Sequence, residues 1–379
     1  MAVFFSSHTF VQILKHFAKK KRNLMNRELV KKLANTLRER KLHDEIRIME
    51  VCGTHTAEFF KTGVKDIFPE KLMLIDGPGC PVCVTQNSYL DRAIEIAKKY
   101  NVIITTFGDM IKVPSSYSSL AKEKADGMDI RIVYSPIDAL RIAEENPTSE
   151  IVFLSVGFET TSPAEAIVIL EAEKKDIKNF SILSCNKLTP PAVDALLNSD
   201  EVRIDGFILP GHVSTVIGRE PWDFIAKKFN KPGVIAGFEA HDLITGVLSL
   251  IDLIEKKETK VTNNYTIAVK ENGNPNAVKL IDSVFERCAE IWRGLGELPE
   301  SGLKIREEYS AFDAEKKFSV VLPPVKEHKG CRCGDLLRGI IIPPECPMFD
   351  TVCSPENAIG PCMVSSEGPC SAYYKYWRK

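Results

Sequence analysis

Short apolar runs alternate with amphipathic segments between residues 45 and 257, and this alternation limits the folds that the chain can adopt. Each apolar run has the length of a strand, and the segments between the runs have helical periodicity. The pattern predicts βαβ units, with mostly parallel sheets flanked by helices. Strands are expected at 46–51, 71–76, 101–107, 130–135, 150–156, 180–185, 205–210 and 233–238. We expect an α/β fold of two lobes that divide near Asn146 and Pro147.

The pattern changes after Lys257, where polar and turn-forming residues replace the alternation. One more helix is predicted over 276–295, and the chain beyond it is rich in Pro, Gly and Cys. Such a segment buries little apolar surface, so we expect a metal centre to stabilise it. The predicted organisation is an N-terminal extension that is disordered or reflects the choice of start site (1–24), a first lobe (25–148), a second lobe (149–258) and a C-terminal iron–sulfur domain (259–379).

Composition excludes several classes of function. Lys and Arg number 50 against 51 Asp and Glu, a formal net charge of −1, and such a balance argues against nucleic acid as a partner. No apolar run approaches the ~20 residues of a membrane span, and the N-terminus lacks a secretory signal pattern. We therefore expect a cytoplasmic, reducing compartment. There, eleven cysteines favour metal or redox chemistry over a disulfide framework.

Reactive side chains follow the predicted strands. The carboxyl ends of parallel strands line the ligand crevice of an open sheet, so we expect one shared site between the lobes. The candidates in this position are Cys52, His55, Cys80, Cys83, Glu159, Cys185, His212 and Glu239. Cys185 and Cys288 have no partner spacing and are interpreted as buried packing residues.

Cys52 precedes a helix expected to begin near Thr56, and a helix N-terminus favours the reactive thiolate. A buried cysteine beside a capping threonine is the alternative. Cys80 and Cys83 form a C-x-x-C pair, which suits a redox dithiol, a transient metal contact or half of a four-ligand metal site. No second pair lies nearby, so the dithiol and the transient contact are favoured.

His212 follows a strand in Pro-Gly-His-Val-Ser, where it could be a ligand, a general base, a hydrogen-bond donor or a structural residue. Glu159 and Glu239 both stand in Gly-Phe-Glu at a strand end. Each could cap the following helix or accept a proton in the crevice.

Six cysteines stand within forty C-terminal residues: 331, 333, 346, 353, 362 and 370. Four thiolates hold either Zn or an iron–sulfur cluster. Zinc sites favour closely spaced pairs, whereas the gaps here are long and irregular, which favours a [4Fe–4S] cubane. Met348, Phe349 and Met363 are candidates for shielding it from water.

Several long motifs occur together and in order. They are Cys-Gly-Thr-His-Thr at 52–56, Gly-Pro-Gly-Cys-Pro-Val-Cys at 77–83, Gly-Phe-Glu-Thr-Thr at 157–161, Pro-Gly-His-Val-Ser at 210–214 and Gly-Pro-Cys-Met-Val-Ser-Ser-Glu-Gly-Pro-Cys at 360–370. In these motifs the chain resembles the HypD family of [NiFe]-hydrogenase maturation factors, from about Met25 to the C-terminus. The resemblance implies two α/β lobes and a third domain that carries the cluster.

The resemblance also implies roles for individual residues. Cys52 would hold the iron of the Fe(CN)₂CO unit together with a cysteine of the chaperone HypC, and His55 would belong to the same site. Cys80 and Cys83 would be the redox dithiol, with His212 and Glu239 around the crevice. The implied [4Fe–4S] ligands are Cys331, Cys346, Cys353 and Cys370. Cys333 is the alternative for the first ligand, and Glu367 is placed to tune the cluster.

The implied partners are HypC and the cyanide donor HypE, with the chain alone a monomer. Since cyanide attachment needs electrons, we hypothesise that they pass from the cluster to Cys80 and Cys83 and then to the iron at Cys52. Two other functions are compatible with the sequence. One is a thiol–disulfide oxidoreductase that uses an iron–sulfur cluster and acts on protein disulfides. The other is an interaction module that a structural metal stabilises.

Overall fold

Strands without an exposed residue form the centres of two separate sheets. Every residue of Ile151–Gly157 is buried, and so is every residue of Gly206–Pro210. Strands of this kind are covered on both faces, as in parallel sheets flanked by helices. The computed structural model describes residues 27–199 and 201–377 and confirms the predicted α/β fold with two lobes.

The first sheet has the order β2-β1-β7-β8-β9, and all of its strands are parallel. The second has the order β10-β11-β6-β5-β3-β4. Its pairs β10–β11 and β11–β6 are antiparallel, and its other pairs are parallel. The strands are β1 Ile46–Glu50, β2 Leu72–Asp76, β3 Ile103–Thr106, β4 Ile130–Ile132, β5 Ile151–Gly157, β6 Phe180–Lys187, β7 Gly206–Pro210, β8 Gly233–Ala236, β9 Val261–Asn263, β10 Phe285–Trp292 and β11 Gly296–Ile305.

Helices cover both sheets, and four short helices lie in the C-terminal segment, residues 314–377. They are α1 (27–38 as described), α2 Gly53–Lys61, α3 Pro81–Val84, α4 Asn87–Tyr100, α5 Leu120–Ala125, α6 Pro136–Glu145, α7 Ser162–Lys174, α8 Thr189–Leu197, α9 Gly211–Ile217, α10 Asp223–Phe229, α11 Ala240–Glu255, α12 Pro275–Val284, α13 Ala314–Lys317, α14 Cys333–Leu337, α15 Pro361–Val364 and α16 Pro369–Tyr376. Short 3₁₀ helices lie at Lys65–Ile67, Gly108–Met110, Glu220–Trp222, Glu307–Phe312 and Pro343–Glu345.

The two sheets are interleaved along the chain. After β2 the chain leaves the first sheet and builds β3 to β6 of the second, and it then returns to add β7 beside β1. The boundary expected at 148/149 lies between β4 and β5, which belong to the same sheet, so it does not separate the lobes. Pro147 marks only the loop between α6 and β5.

The single helix predicted over 276–295 is wrong in its second half. Helix α12 ends at Val284, and Phe285–Trp292 forms strand β10, which pairs with β11. Burial in β10 alternates along the strand, as it does when one face packs on a core. Strands β9 to β11 therefore complete the two sheets, although the sequence placed residues 259–305 in the C-terminal domain.

Helix α16 joins the C-terminal segment to the first lobe. The Phe60 ring of α2 lies 4.4 Å from the Tyr373 ring of α16, measured between centroids. The Lys65 ammonium stands over both rings, 4.2 and 4.0 Å from their centroids, and hydrogen-bonds to the Tyr373 hydroxyl. A cation over aromatic faces is worth more when it is removed from water, and burial lowers the pKa of Lys65.

One apolar cluster runs through both sheets and into the C-terminal segment, including Met49, Leu154 and Leu336. The lobes therefore share a core. The expected extension at 1–24 lies outside the described residues. Within 27–199 and 201–377, no helix is long and apolar enough to cross a membrane.

Replacing Phe153 by Ala should show how far the second sheet depends on its central strand. Phe153 is fully buried, with its ring edge-on to Phe107 at 5.4 Å between centroids. We expect a loss of about 3–5 kcal/mol in the free energy of unfolding, measured by urea denaturation. Tyr134→Ala is the control: Tyr134 is 93% exposed, and its removal should change stability by less than about 0.5 kcal/mol. Equal losses would contradict this account of the core.

Candidate metal and thiol site

Cys52 stands between β1 and α2 as the N-cap residue of the helix, which begins at Gly53 rather than near Thr56. Its side chain is buried. Glu50 accepts a hydrogen bond from the Cys52 amide at 2.8 Å and another from the Thr56 hydroxyl. Burial and the nearby Glu50 carboxylate raise the pKa of Cys52 to about 12, although amides of the first helical turn oppose this. Burial thus opposes the thiolate that the helix N-terminus favours.

The loop after β2 packs directly against the backbone of Cys52. The Gly53 amide donates to the Gly79 carbonyl at 2.7 Å, and the Gly77 amide donates to the Glu50 carbonyl at 2.8 Å. A Cβ atom on Gly79 would overlap the Cys52 amide nitrogen and Cα. Only glycine permits this approach, and it brings the loop that leads into Cys80 beside Cys52.

Cys80 and Cys83 are joined by a disulfide across the first turn of α3. Cys80 is the N-cap residue, and its sulfur accepts a hydrogen bond from the Cys83 amide at 3.2 Å. Pro81 fits the first helical position, where no amide hydrogen is needed. Both sulfurs are nearly inaccessible to solvent, so their reactivity depends on what packs against α3.

His55 and His212 lie on opposite faces of one phenylalanine. Phe238 stacks on His55 at 4.7 Å and on His212 at 3.7 Å between ring centroids. His55 Nε2 donates to the Gly237 carbonyl at 3.0 Å, which leaves a lone pair on Nδ1 with no hydrogen-bond partner among the described residues. Burial lowers the pKa of His55 to about 4 and also lowers that of the partly exposed His212. Both imidazoles are thus neutral near pH 7.

Two carboxylates that the sequence reasoning missed lie beneath Cys52. Glu50 and Asp76 are paired residues at the ends of β1 and β2. Both are buried, and Asp76 has no hydrogen-bond partner among the described residues. Burial raises the pKa of Asp76 to about 6, and burial together with Asp76 raises that of Glu50. An acidic residue ending each of two adjacent apolar strands was the available signal.

The two Gly-Phe-Glu glutamates serve as helix caps. Glu239 forms a capping box with Asp242 at the start of α11, and its side chain is largely exposed. Glu159 is buried and accepts from the Thr189 amide at 2.7 Å and the Thr189 hydroxyl at 2.9 Å, so it caps α8 rather than the next helix. Burial raises the pKa of Glu159 to about 7.

The structure brings together the thiols of Cys331, Cys346, Cys353 and Cys370, which line one small cavity with Met348, Phe349 and Met363. Burial and the three neighbouring thiols raise the pKa of Cys370. In the part of the chain that the structure describes, no three metal-ligating side chains converge on a single ion position.

The two other cysteines of the C-terminal segment, Cys333 and Cys362, are joined by a disulfide. Cys333 opens α14 and Cys362 lies in α15, and both helices contact α3. The second disulfide thus stands between the four-thiol cavity and the helix of Cys80 and Cys83. Cys185 is buried as expected, but Cys288 on β10 is partly exposed.

Glu367 connects the C-terminal segment to the Cys52 loop. Its carboxylate accepts from the Thr54 hydroxyl at 2.6 Å, and its amide donates to the Ser365 hydroxyl at 3.2 Å. Ser365 in turn donates to Asp109, which follows β3 of the second sheet, at 3.2 Å. One turn of the C-terminal segment therefore contacts the carboxyl edges of both sheets.

The sequence that forms this arrangement matches a known family. Residues 25–377 match the HypD family model, described as a hydrogenase formation family. Because the match covers nearly the whole chain, the protein belongs to the HypD family.

Curated relatives agree with this assignment. The chain is 44% identical over 360 residues to the hydrogenase maturation factor HypD of Cupriavidus necator, covering 93% of this chain and 95% of that protein. It is 43% identical over 358 residues to HypD of Escherichia coli, covering 92% and 95%. A putative hydrogenase expression/formation protein of Methanocaldococcus jannaschii is 42% identical over 361 residues, covering 94% and 99%.

Substituting Ala for Gly79 should separate the two loops that hold Cys52 and Cys80. The new Cβ would collide with backbone atoms that have no room to move, so we expect a loss of about 3 kcal/mol in unfolding free energy. Gly108→Ala is the matched control, because its Cβ would meet only Ile132 at 3.7 Å and should cost less than about 0.5 kcal/mol. A stable Gly79→Ala protein would show that the close approach is not required.

Proposed function

We propose that this chain is a maturation scaffold that holds an iron atom at Cys52 while the Fe(CN)₂CO group of a [NiFe]-hydrogenase is assembled. One observation carries the proposal. The Cys52 thiol and the Cys80–Cys83 pair lie on backbone segments in direct contact at the edge of the first sheet, and two neutral imidazoles are stacked at that edge. The names of the curated relatives support hydrogenase maturation as the process.

Iron, as the cargo, would be held by thiolate sulfur. A soft thiolate suits the low-spin Fe(II) that cyanide and carbon monoxide favour. The resting Cys52 is a protonated thiol because its pKa is raised to about 12, so iron binding would displace that proton. A single thiolate leaves most coordination positions open, which supports a second thiolate from a HypC-type chaperone and a cyanide donor of the HypE type.

The histidines would shape the surroundings of that iron. With its Nε2 hydrogen on the Gly237 carbonyl, His55 presents an unprotonated Nδ1. Such a nitrogen can ligate iron or accept a hydrogen bond. His212, on the other face of Phe238, is open to solvent in part and would meet the incoming ligand or partner.

The Cys80–Cys83 pair would supply electrons at this position. Releasing cyanide from an activated carrier group consumes two electrons, and closing one dithiol to a disulfide yields two electrons and two protons. The disulfide present in the structure is the oxidised form of such a pair. Its position against Cys52 supports delivery of the electrons at the iron rather than in solution.

The four-thiol cavity fits a [4Fe–4S] cluster. Cys331, Cys346, Cys353 and Cys370 supply thiol donors of the required number and kind, and Met348, Phe349 and Met363 would exclude water. The pairing of Cys333 with Cys362 supports Cys331 as the first ligand. When bound, such a cluster supplies single electrons.

Anaerobic purification of the protein with its chaperone partner tests the proposal. We expect infrared bands of iron-bound cyanide and carbon monoxide, together with a cubane signal in the EPR spectrum. Cys52→Ala should remove the infrared bands and keep the cubane signal. The matched control is Cys185→Ala, a buried thiol outside the site, which should keep both. Bands that persist in Cys52→Ala would disprove the iron assignment.

Replacing Cys83 by Ala separates electron supply from iron binding. The variant keeps the four cavity thiols, so its cluster spectrum should match that of the wild type, while hydrogenase maturation should be abolished. Maturation is measured as hydrogenase activity in cells that depend on the variant. Cys288→Ala, a partly exposed thiol on β10, should mature hydrogenase normally. Normal maturation by Cys83→Ala would exclude the dithiol role.

A second function is favoured by one observation, namely the two disulfides that lie on contacting helices. This arrangement also suits a thiol–disulfide oxidoreductase that reduces protein partners. Turnover of a protein disulfide without any chaperone, with wild-type rates in Cys52→Ala, would favour it over the maturation scaffold.

A further inference from the structure

A cavity of about 380 Å³ opens on the outer side of the four-thiol cavity and takes no part in the proposed iron chemistry. Its size is that of a small-molecule site. Cys331, Cys333 and Gly360 line both cavities, whereas Cys362 lines only the inner one. Cys333, one partner of the Cys333–Cys362 disulfide, thus borders both cavities, although it is 3% exposed.

Positive charge is concentrated at this cavity. Arg293 lines it and is 6% exposed. Its guanidinium donates to the Thr85 carbonyl at 2.8 Å and the Asn87 side chain at 2.7 Å, while Nε has no partner among the described residues. Lys326 and His328 stand exposed at the rim. A buried guanidinium with an unused donor is suited to an anionic group, carboxylate above all.

Glu327 already pairs with another nitrogen of this guanidinium, Nη1. Its carboxylate pairs with Arg293, but its side chain is 52% exposed on the rim segment. The ion pair is thus open to solvent only on its Glu327 side, since the Arg293 side chain is 6% exposed. An incoming carboxylate can therefore replace Glu327 on Arg293 without breaking the buried bonds to Thr85 and Asn87.

We propose that this cavity binds an anionic low-molecular-weight thiol, which reduces the Cys333–Cys362 disulfide. The thiolate of the first molecule attacks Cys333 Sγ, forms a mixed disulfide and releases Cys362 as a thiolate, which takes up a proton. A second molecule attacks the mixed disulfide, leaves as the oxidised small-molecule disulfide and frees the Cys333 thiol. Two small thiols are oxidised for each protein disulfide reduced.

The order of attack follows from the lining of the two cavities. Cys333 borders the outer cavity and Cys362 does not, so the mixed disulfide forms on Cys333. This inference goes beyond the proposed iron chemistry, because none of these residues belongs to the Cys52 site. Failure of either test leaves the other proposal standing.

The first experiment compares three probes of different charge on the anaerobic, cluster-loaded protein. Glutathione is anionic, 2-mercaptoethanol neutral and cysteamine cationic. The reduction rate of Cys333–Cys362, followed by alkylation and peptide mass spectrometry, is divided by the rate of each thiol with a simple disulfide in solution. We expect glutathione to be fastest and cysteamine slowest on this scale. Equal normalised rates for the three thiols would overturn the proposal.

Rim variants test the charge directly. Lys326→Glu should lower the rate of disulfide reduction by glutathione about fivefold. The rate with 2-mercaptoethanol should change by less than about twofold, because a neutral thiol does not interact with the charge at the rim. The rim segment is held by the backbone of Lys326, whose amide donates to the Ser116 hydroxyl and whose carbonyl accepts from the Asn87 side chain. The Lys326 side chain can therefore be replaced without breaking these bonds. Glu327→Gln should raise the glutathione rate. Lys174→Glu, exposed on α7, is the control and should change neither rate.

A trapping experiment tests the site of attack. With Cys362→Ser, oxidised glutathione should leave one glutathione on Cys333, located by peptide mass spectrometry. With Cys333→Ser, Cys362 should remain unmodified. An adduct on Cys362, or none on Cys333, would contradict entry through the outer cavity. Neither variant alters the four thiols assigned to the cluster.

Discussion

The hydrogen bond from the Gly53 amide to the Gly79 carbonyl holds together the two loops on which the candidate site depends. It exists because Gly79 has no side chain, so the loop after β2 can lie against the backbone of Cys52. This single contact sets the distance between the candidate iron thiol and the redox pair. The cap formed by the C-terminal segment then fits over both loops through Glu367 and helix α16.

At the carboxyl edge of the first sheet, burial affects the pKa of Cys52 more than the helix N-terminus does. Cys52 stands at a helix N-terminus, where a thiolate is ordinarily favoured, yet burial and Glu50 raise its pKa to about 12. His55 is kept neutral by the same loss of water. Burial thus favours the uncharged forms of both side chains, and metal binding must displace the Cys52 proton to make this thiol a ligand.

Much of the fold follows from the sequence because local patterns define strands and helices. All eight predicted strands are present, and none is displaced by more than a few residues. Pairing between strands is a non-local property, so no local sequence pattern indicated that β1 and β7 are neighbours in the sheet. Strand β10 was missed for a related reason. The segment after α12 suits an amphipathic helix, and only the partner strand β11 imposes the extended form.

The site was predictable where chemistry depends on residue type and hidden where it depends on packing. Cys52, Cys80 and Cys83 stand out as thiols at strand ends. Phe238, which separates the two imidazoles, is an ordinary apolar residue in the sequence. The thiol positions of the C-terminal segment were clear, but only folding shows that Cys333 and Cys362 are bonded to each other and leave four free thiols at the cavity.

The interleaved order of the sheets has a consequence for biosynthesis. Strand β1 emerges from the ribosome with Cys52 behind it, but its neighbour β7 begins only at Gly206, after four strands of the other sheet. Glu367 and Tyr373, which contact Thr54 and Phe60 of α2, follow every strand of both sheets along the chain. A nascent chain thus has no finished pocket in which to capture stray metal until the segment with Glu367 and Tyr373 has been made.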